Sequence, residues 1–368
     1  MASTLPPGVP DLLALTAELC AVPSVSHHEA ALADLVEARL RAPGALAVDR
    51  LGDNVIARTT GGAEQRLVLA GHLDTVPAAG NAEPRRHGDT LTGLGAADMK
   101  GGLAVMVALA GLVAGSGRSG GPGEPRFDVT FAFYAGEEVA EEHNGLRRVF
   151  AERPELLTGD LAVVLEPTGG WVEAGCQGTL HVRATFRGRR AHTARPWTGV
   201  NAVHRAVPAL ARVAAAAEAT GPVTVEGLEF RESLQIVRVE AGVANNVVPD
   251  ECTVVVNRRF APSRDPAAVL SDVEGLLGGA DELETVNLSP AALPRLDHPL
   301  VAELVGVFDL AVRPKLGWTD VARFAAHGIP AVNFGPGDPS VAHTAGECVT
   351  REALEGVFAV LARHLGVL

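Results

Sequence analysis

Short apolar runs alternate with amphipathic stretches over the first half of the chain, and each run gives way to a turn. Leu12 to Ala21 and Glu29 to Leu40 carry apolar residues at helical spacing. Arg66 to Ala70 is a short apolar strand that ends in Gly71-His72-Leu73-Asp74-Thr75-Val76-Pro77. A glycine-rich turn around Gly93 and Gly95 leads to Asp98, and a helix is predicted from about Gly102 to Ala114. Phe127 to Tyr134 reads as a strand ending in Gly136-Glu137-Glu138, Leu161 to Leu165 as one ending in Glu166-Pro167-Thr168, and Ile329 to Phe334 as one followed by Gly335-Pro336-Gly337 and then His343. Apolar strands alternating with helices predict an α/β domain with a mostly parallel sheet, in which ligands bind beyond the carboxyl ends of the strands.

The pattern changes between about Cys176 and Pro290. His181 to Phe186 alternates apolar and polar residues, Ser233 to Val239 and Cys252 to Asn257 are strand-like, and Asn201 to Ala217 and Pro266 to Leu277 have helical spacing. An inserted α+β domain, an antiparallel sheet with two helices, is therefore expected over 177–290, dividing a first domain formed by 1–176 and 291–368. Ser116 to Pro125, rich in Gly, Ser and Pro, is expected to be a surface loop.

A chain of 368 residues suits two domains. With 47% hydrophobic but only 4% aromatic residues, the core must be built from Ala, Val and Leu. The start, Met1 to Asp11, has neither a basic nor an apolar leader region, and Leu103 to Ala114 is too short to span a bilayer, so a cytoplasmic protein with no membrane partner is expected. The net charge of −13 argues against nucleic acid and anionic membranes. The four cysteines are far apart and form no C-x-x-C pair, so they read as reduced and mostly buried. Arginines 183, 187, 189, 190 and 195, followed by Arg258 and Arg259, form a basic patch that is in part solvated charge and in part suited to a small anionic substrate.

The strand ends collect two imidazoles and three carboxylates: His72, Asp98, Glu138, Glu166 and His343. Singly, each has an ordinary reading: a structural histidine, a helix N-cap for Asp98, a solvated turn for the glutamates. Together they form an N/O donor set without sulfur, which suits a pair of divalent cations, zinc first with cobalt or manganese tolerated. His72 and Asp74, two apart on an extended segment, point the same way, so that one can ligate while the other fixes it. Two adjacent glutamates cannot easily serve one ion, which divides their labour: one ligates and one takes a proton from water.

These motifs, Gly71–Pro77, Gly95-Ala96-Ala97-Asp98-Met99-Lys100-Gly101, Gly136–Glu138 and Glu166–Thr168, resemble those of the M20 dizinc amidohydrolases and peptidases, in family order and over nearly the whole chain. Gly317–Phe324 and Asn333–Gly337 resemble the actinobacterial branch that cleaves N-succinyl-LL-2,6-diaminopimelate. Leu94 stands where the family often has arginine. The resemblance implies that His72, Asp98 and Glu166 hold one zinc and Asp98, Glu138 and His343 a second. It further implies that Asp74 orients His72 and that Glu137 is the general base. His192, in Arg190-Ala191-His192-Thr193-Ala194, would complete the partner subunit's site in a homodimer, while Asn245 and Arg259 would grip an anionic N-acyl amino-acid substrate. Other amidohydrolases of the family, acetylornithine deacetylase, aminoacylase or carboxypeptidase, would use the same metal machinery. A metal-binding protein without catalysis would lack a base or a ligand, and neither is missing.

Overall fold

The computed structural model describes residues 5–6, 8–116 and 125–368. Most of the loop expected over Ser116 to Pro125, and residues 1–4 and 7 at the start, lie outside the described residues. The chain forms two compact units. One comprises the chain up to Ala174 with Arg295–Arg313 and Arg323–Leu368, and the other comprises Gly175–Pro294 with Pro314–Ala322.

The first unit is built on a mixed sheet of eight strands, the last two of which run on past its boundary. In spatial order they are Ala47–Leu51, Asn54–Arg58, Asp128–Tyr134, Arg66–His72, Leu161–Val164, Ala331–Asn333, Val172–Cys176 and Val312–Lys315. The four central strands, from Asp128–Tyr134 to Ala331–Asn333, run parallel, and antiparallel pairs flank them. Central strands are buried on both faces, which is why they read as unbroken apolar runs. Register aligns their carboxyl ends: His72 lies opposite Tyr134, Ala70 opposite Val164, and Val164 opposite Asn333. The turns that follow all four strands therefore leave one edge of the sheet.

The helix Gly101–Gly115 is buried along most of its length. Two glycines permit its approach to the strand ends. A Cβ on Gly71 would meet Met99 Cε at 2.6 Å, and one on Gly102 would meet the Leu165 carbonyl oxygen at 2.5 Å. With the irregular turn before it, this helical stretch is longer than the sequence suggested: Ala96–Gly115 has 20 residues and enough apolar character to cross a bilayer, but 78% of its most apolar window is buried within the fold. Burial against the sheet and its neighbouring helices accounts for that character. Asp11 caps Leu12–Ala21 through the amides of Leu13 and Ala14 and is itself held by Arg351.

In the second unit four antiparallel strands are ordered Ser233–Ala241, Glu251–Phe260, Gly178–Arg187, Glu282–Ser289. Leu180, Val182, Ala184 and Phe186 alternate inward and pack with Ala206, Ala209 and Val213 of the helix Ala202–Glu218 and Val269 and Val273 of the helix Pro266–Leu276. The basic patch resolves mainly into ion pairs on this sheet: Arg183 with Glu284, Arg187 with Glu251 and Glu282, and Arg190 with Asp250, all exposed. Exposed pairs of this kind add little stability, and these arginines are already occupied by carboxylates of the chain. Arg258 is bound to the buried Glu232. Cys20, Cys176 and Cys252 are buried free thiols, and Cys348 is half-buried.

Candidate metal centre

The site grows from the carboxyl ends of the parallel strands. His72 is the last residue of its strand and is 1% exposed, with Nε2 3.0 Å from Asp98 Oδ1 and 3.8 Å from Glu166 Oε1. His343 follows the last central strand in a turn where its φ is +60°, and its Nε2 lies 2.8 Å from Glu138 Oε1 and 3.4 Å from Asp98 Oδ2. The two oxygens of Asp98 thus face two different imidazoles. Donor atoms of His72, Asp98 and Glu166 lie within 4.8 Å of one another, as do those of Asp98, Glu138 and His343, and those of His72, Glu137 and Glu138.

Asp98 is not the helix N-cap. It sits in the irregular turn Ala96–Lys100 with φ −121° and ψ 93°, followed by a cis peptide to Met99, and the regular helix begins at Gly101. The Asp98 carboxylate faces both histidines rather than the helix amides.

Asp74 behaves differently from the pattern expected of two residues on one extended segment. The strand ends at His72, and the ring Nδ1 is held at 3.0 Å by the Asp74 backbone carbonyl, with the carboxylate at 3.6 Å. The fully buried Asp74 carboxylate instead accepts the amide N–H groups of Glu137 and Glu138, each at 3.0 Å, and the Ser26 hydroxyl at 2.8 Å. Gly136, with φ +71°, allows the chain to turn so that both amides face one carboxylate; a Cβ there would meet the His143 carbonyl at 2.4 Å. Asp74 therefore fixes the Glu137–Glu138 turn as well as bordering His72.

The electrostatics show a surplus of negative charge. Burial alone would lower His72, but its hydrogen bond to Asp98 and the charges of Glu166, Asp98 and Asp74 raise it well above the usual imidazole range. His343 is raised to about 9, first by the hydrogen bond to Asp98, against burial, and then by Glu138. Asp98 is lowered below the ordinary carboxylate range: burial acts to raise it, and the two histidines outweigh burial. Burial raises Glu138. Three carboxylates converging on two imidazoles make those imidazoles hold their protons more tightly than they would alone, and divalent cations would meet the same demand. The donor set fits a metal pair: two imidazole nitrogens, three carboxylates, no thiolate, and one carboxylate whose oxygens face two sides.

The remaining sequence-predicted residues lie in the second unit. His192 is exposed on the short strand Ala191–His192, which pairs with Val247–Val248, so that Thr193 N–H reaches the Asn246 carbonyl and brings the His192 segment beside the turn carrying Asn245. The Ala194 amide donates to His192 Nδ1 at 3.0 Å. Arg259 lies on Glu251–Phe260 opposite Ser233 and Thr179, and burial lowers its guanidinium. No sequence pattern points to Glu347, whose buried carboxylate accepts three amides of the Asp98 turn, or to Ser26 and Glu29, which bind Asp74 and the Gly136 amide. Their partners are mostly backbone amides, which have no sequence signature.

Known proteins give this geometry its context. The profile described as peptidase family M20/M25/M40 matches residues 68–366. The succinyl-diaminopimelate desuccinylase of Corynebacterium glutamicum is 44% identical over 376 residues, covering 99% of this chain and all of that protein. A Mycobacterium tuberculosis protein to which the same activity is ascribed is 46% identical over 358 residues, 97% of this chain and 98% of its own. Among solved structures, a tripeptidase from Staphylococcus aureus superposes with a TM-score of 0.79 at 21% identity, over 98% of both chains. A dinuclear metal-binding peptidase of the M20 family from Bacillus subtilis superposes with a TM-score of 0.70 at 16% identity, over 97% of this chain and 96% of its own. A mixed sheet whose aligned strand ends gather five N/O donors, matched by a profile over most of the chain, places this protein in peptidase family M20/M25/M40.

Proposed function

We propose that the protein is a dizinc amide hydrolase that converts N-succinyl-LL-2,6-diaminopimelate and water into succinate and LL-2,6-diaminopimelate, in the synthesis of lysine and diaminopimelate. The observation that carries the metal-dependent part is Asp98, whose Oδ1 faces His72 and Oδ2 faces His343. Substrate identity is supported by the desuccinylase named at 44% identity over essentially its full length. His72, Asp98 and Glu166 would hold one ion and Asp98, Glu138 and His343 the other. An N/O set without sulfur favours zinc and accepts cobalt or manganese.

Bound there, the ions would acidify a water and polarise the amide carbonyl. Glu137, beside Glu138 and anchored through its amide to Asp74, takes the water's proton and returns it to the departing amine, so that one C–N bond breaks as one C–O bond forms. His192 donates to the oxyanion that develops on the substrate carbonyl, from the partner subunit of a homodimer. Arg259 and Asn245 grip the substrate. Among the described residues Arg259 has no ion pair, unlike Arg183, Arg187, Arg190 and Arg258, which leaves its planar fork to a substrate carboxylate. The free thiols suit a reducing compartment, and we place the enzyme in the cytoplasm.

Glu137→Gln tests the assignment. The variant should retain the parent's metal content by elemental analysis while succinate release falls by about 100-fold or more. Parent-like turnover would remove Glu137 from the role of base.

A further inference from the structure

Building on the dimetal reading, we infer that Glu347 is a positioning residue that fixes the bridging carboxylate Asp98 and ties its turn to the one carrying His343. Its side chain is 1% exposed. Oε2 accepts the Gly95 amide at 3.0 Å, and Oε1 accepts the amides of Ala97 and Asp98, each at 3.0 Å. These N–H groups lie in irregular backbone ahead of the helix that starts at Gly101, where no helical carbonyl is available to them. One carboxylate satisfies all three and thereby sets the orientation of the Asp98 backbone.

The other end of Glu347 is equally fixed. Its carbonyl accepts the Gly93 amide at 3.0 Å, its amide donates to the Thr344 carbonyl at 3.2 Å, and Cys348–Thr350 pairs with Thr90–Thr92. His343 lies four residues earlier, directly before the Thr344–Glu347 turn. A single side chain therefore joins the segments that supply Asp98 and His343, the two residues that approach each other at 3.4 Å. Displacing either segment by a fraction of an ångström would change the distance between the oxygens of Asp98 and the second imidazole. Outer partners of metal ligands commonly act in this way, and their loss weakens metal binding about 10- to 100-fold.

Substitution separates this role from general support of the fold. In Glu347→Gln the amide oxygen can keep the bonds to Ala97 and Asp98, while its NH2 group faces the Gly95 N–H. In Glu347→Ala all three amides lose their acceptor. The chelator-stripped full chain is titrated with Co2+, followed by its visible absorption and by calorimetry, and the thermal midpoint of each stripped protein is recorded. The parent is expected to bind two equivalents. Glu347→Gln should bind one of them about 10-fold more weakly with an altered absorption band, and Glu347→Ala more weakly still. In the reloaded Gln variant kcat should fall while KM stays within about threefold. Two equivalents bound by Glu347→Gln within twofold of parental affinity and with an unchanged spectrum would overturn the inference, whatever the melting temperature does. A parent chain that binds fewer than two equivalents would overturn the dimetal reading and this inference with it.

Discussion

Asp74→Asn is a near-isosteric change with a large predicted effect. The wild-type carboxylate is fully buried and accepts three hydrogen bonds: Glu137 N–H on Oδ1, and Glu138 N–H and Ser26 O–H on Oδ2. Asparagine offers one acceptor oxygen in place of two. If that oxygen takes the Oδ2 position, the Glu138 and Ser26 bonds survive and the Glu137 amide faces an NH2 group. If it takes the Oδ1 position, the NH2 group can donate to the Ser26 oxygen but faces the Glu138 amide. In either rotamer one amide N–H loses its acceptor, and the bond lost was made to a charged group. That loss costs about 1.5–3 kcal/mol, shared between reduced stability and a shifted Glu137–Glu138 turn. In the proposed mechanism that turn carries a ligand and the base together, so kcat/KM should fall by about 10- to 100-fold. Succinate release under first-order conditions measures the kinetic loss, and the urea midpoint with its slope measures the stability loss. A variant within threefold of parental kcat/KM and within about 0.5 kcal/mol in stability would refute the idea that this carboxylate organises the turn.

Two further predictions concern the fold. His364 is buried against Phe127 and Phe308, and burial, with Arg126 adding to it and Glu303 opposing it, pushes its imidazole down to about 4 from the ordinary 6.5. The depressed value favours the neutral ring in the native state. Its contribution is therefore fully present above pH 6.5 and is lost as pH falls toward 4, amounting to about 3 kcal/mol. Urea melts of the parent and His364→Phe across that window should converge toward neutral pH and separate in acid, with the variant the more resistant; parallel curves would exclude the effect. Gly102→Ala places a Cβ 2.5 Å from the Leu165 carbonyl, on backbone that leads directly into Glu166. It should destabilise the protein by about 1–3 kcal/mol, and a denaturation midpoint equal to the parent's would contradict that close approach.

Much of this organisation was legible in the chain because it rests on burial. Strands such as Arg66–His72 and Leu161–Val164 are covered on both faces, so their sequences are apolar runs whose ends are easily found. Parallel register then brings those ends to one edge, which is why residues chosen only for following apolar runs come together. The hairpin Ala47–Leu51 with Asn54–Arg58 escaped detection because its first strand is at the sheet edge and largely half-exposed, carrying Asp49 and Arg50 within it. The small sheet of Arg85–His87, Thr90–Thr92 and Cys348–Thr350 joins segments far apart in sequence, each too short to show a period. Pro314–Ala322 belongs with the second unit although it follows the insertion by some twenty residues, a division set by tertiary contacts. The share of the surface arginines expected to be solvated charge has a related explanation. Their acidic partners lie on neighbouring strands, so the chain shows a basic cluster where the fold makes ion pairs.

Substrate and metal dependence are tested together by kcat/KM of the zinc-loaded protein on N-succinyl-LL-2,6-diaminopimelate, measured beside N-acetylornithine and a small set of dipeptides. Preference for the succinylated substrate by about 100-fold or more is expected, lost on chelation and restored by zinc. Equal or faster turnover of N-acetylornithine or a dipeptide, or turnover that survives metal removal, would contradict it.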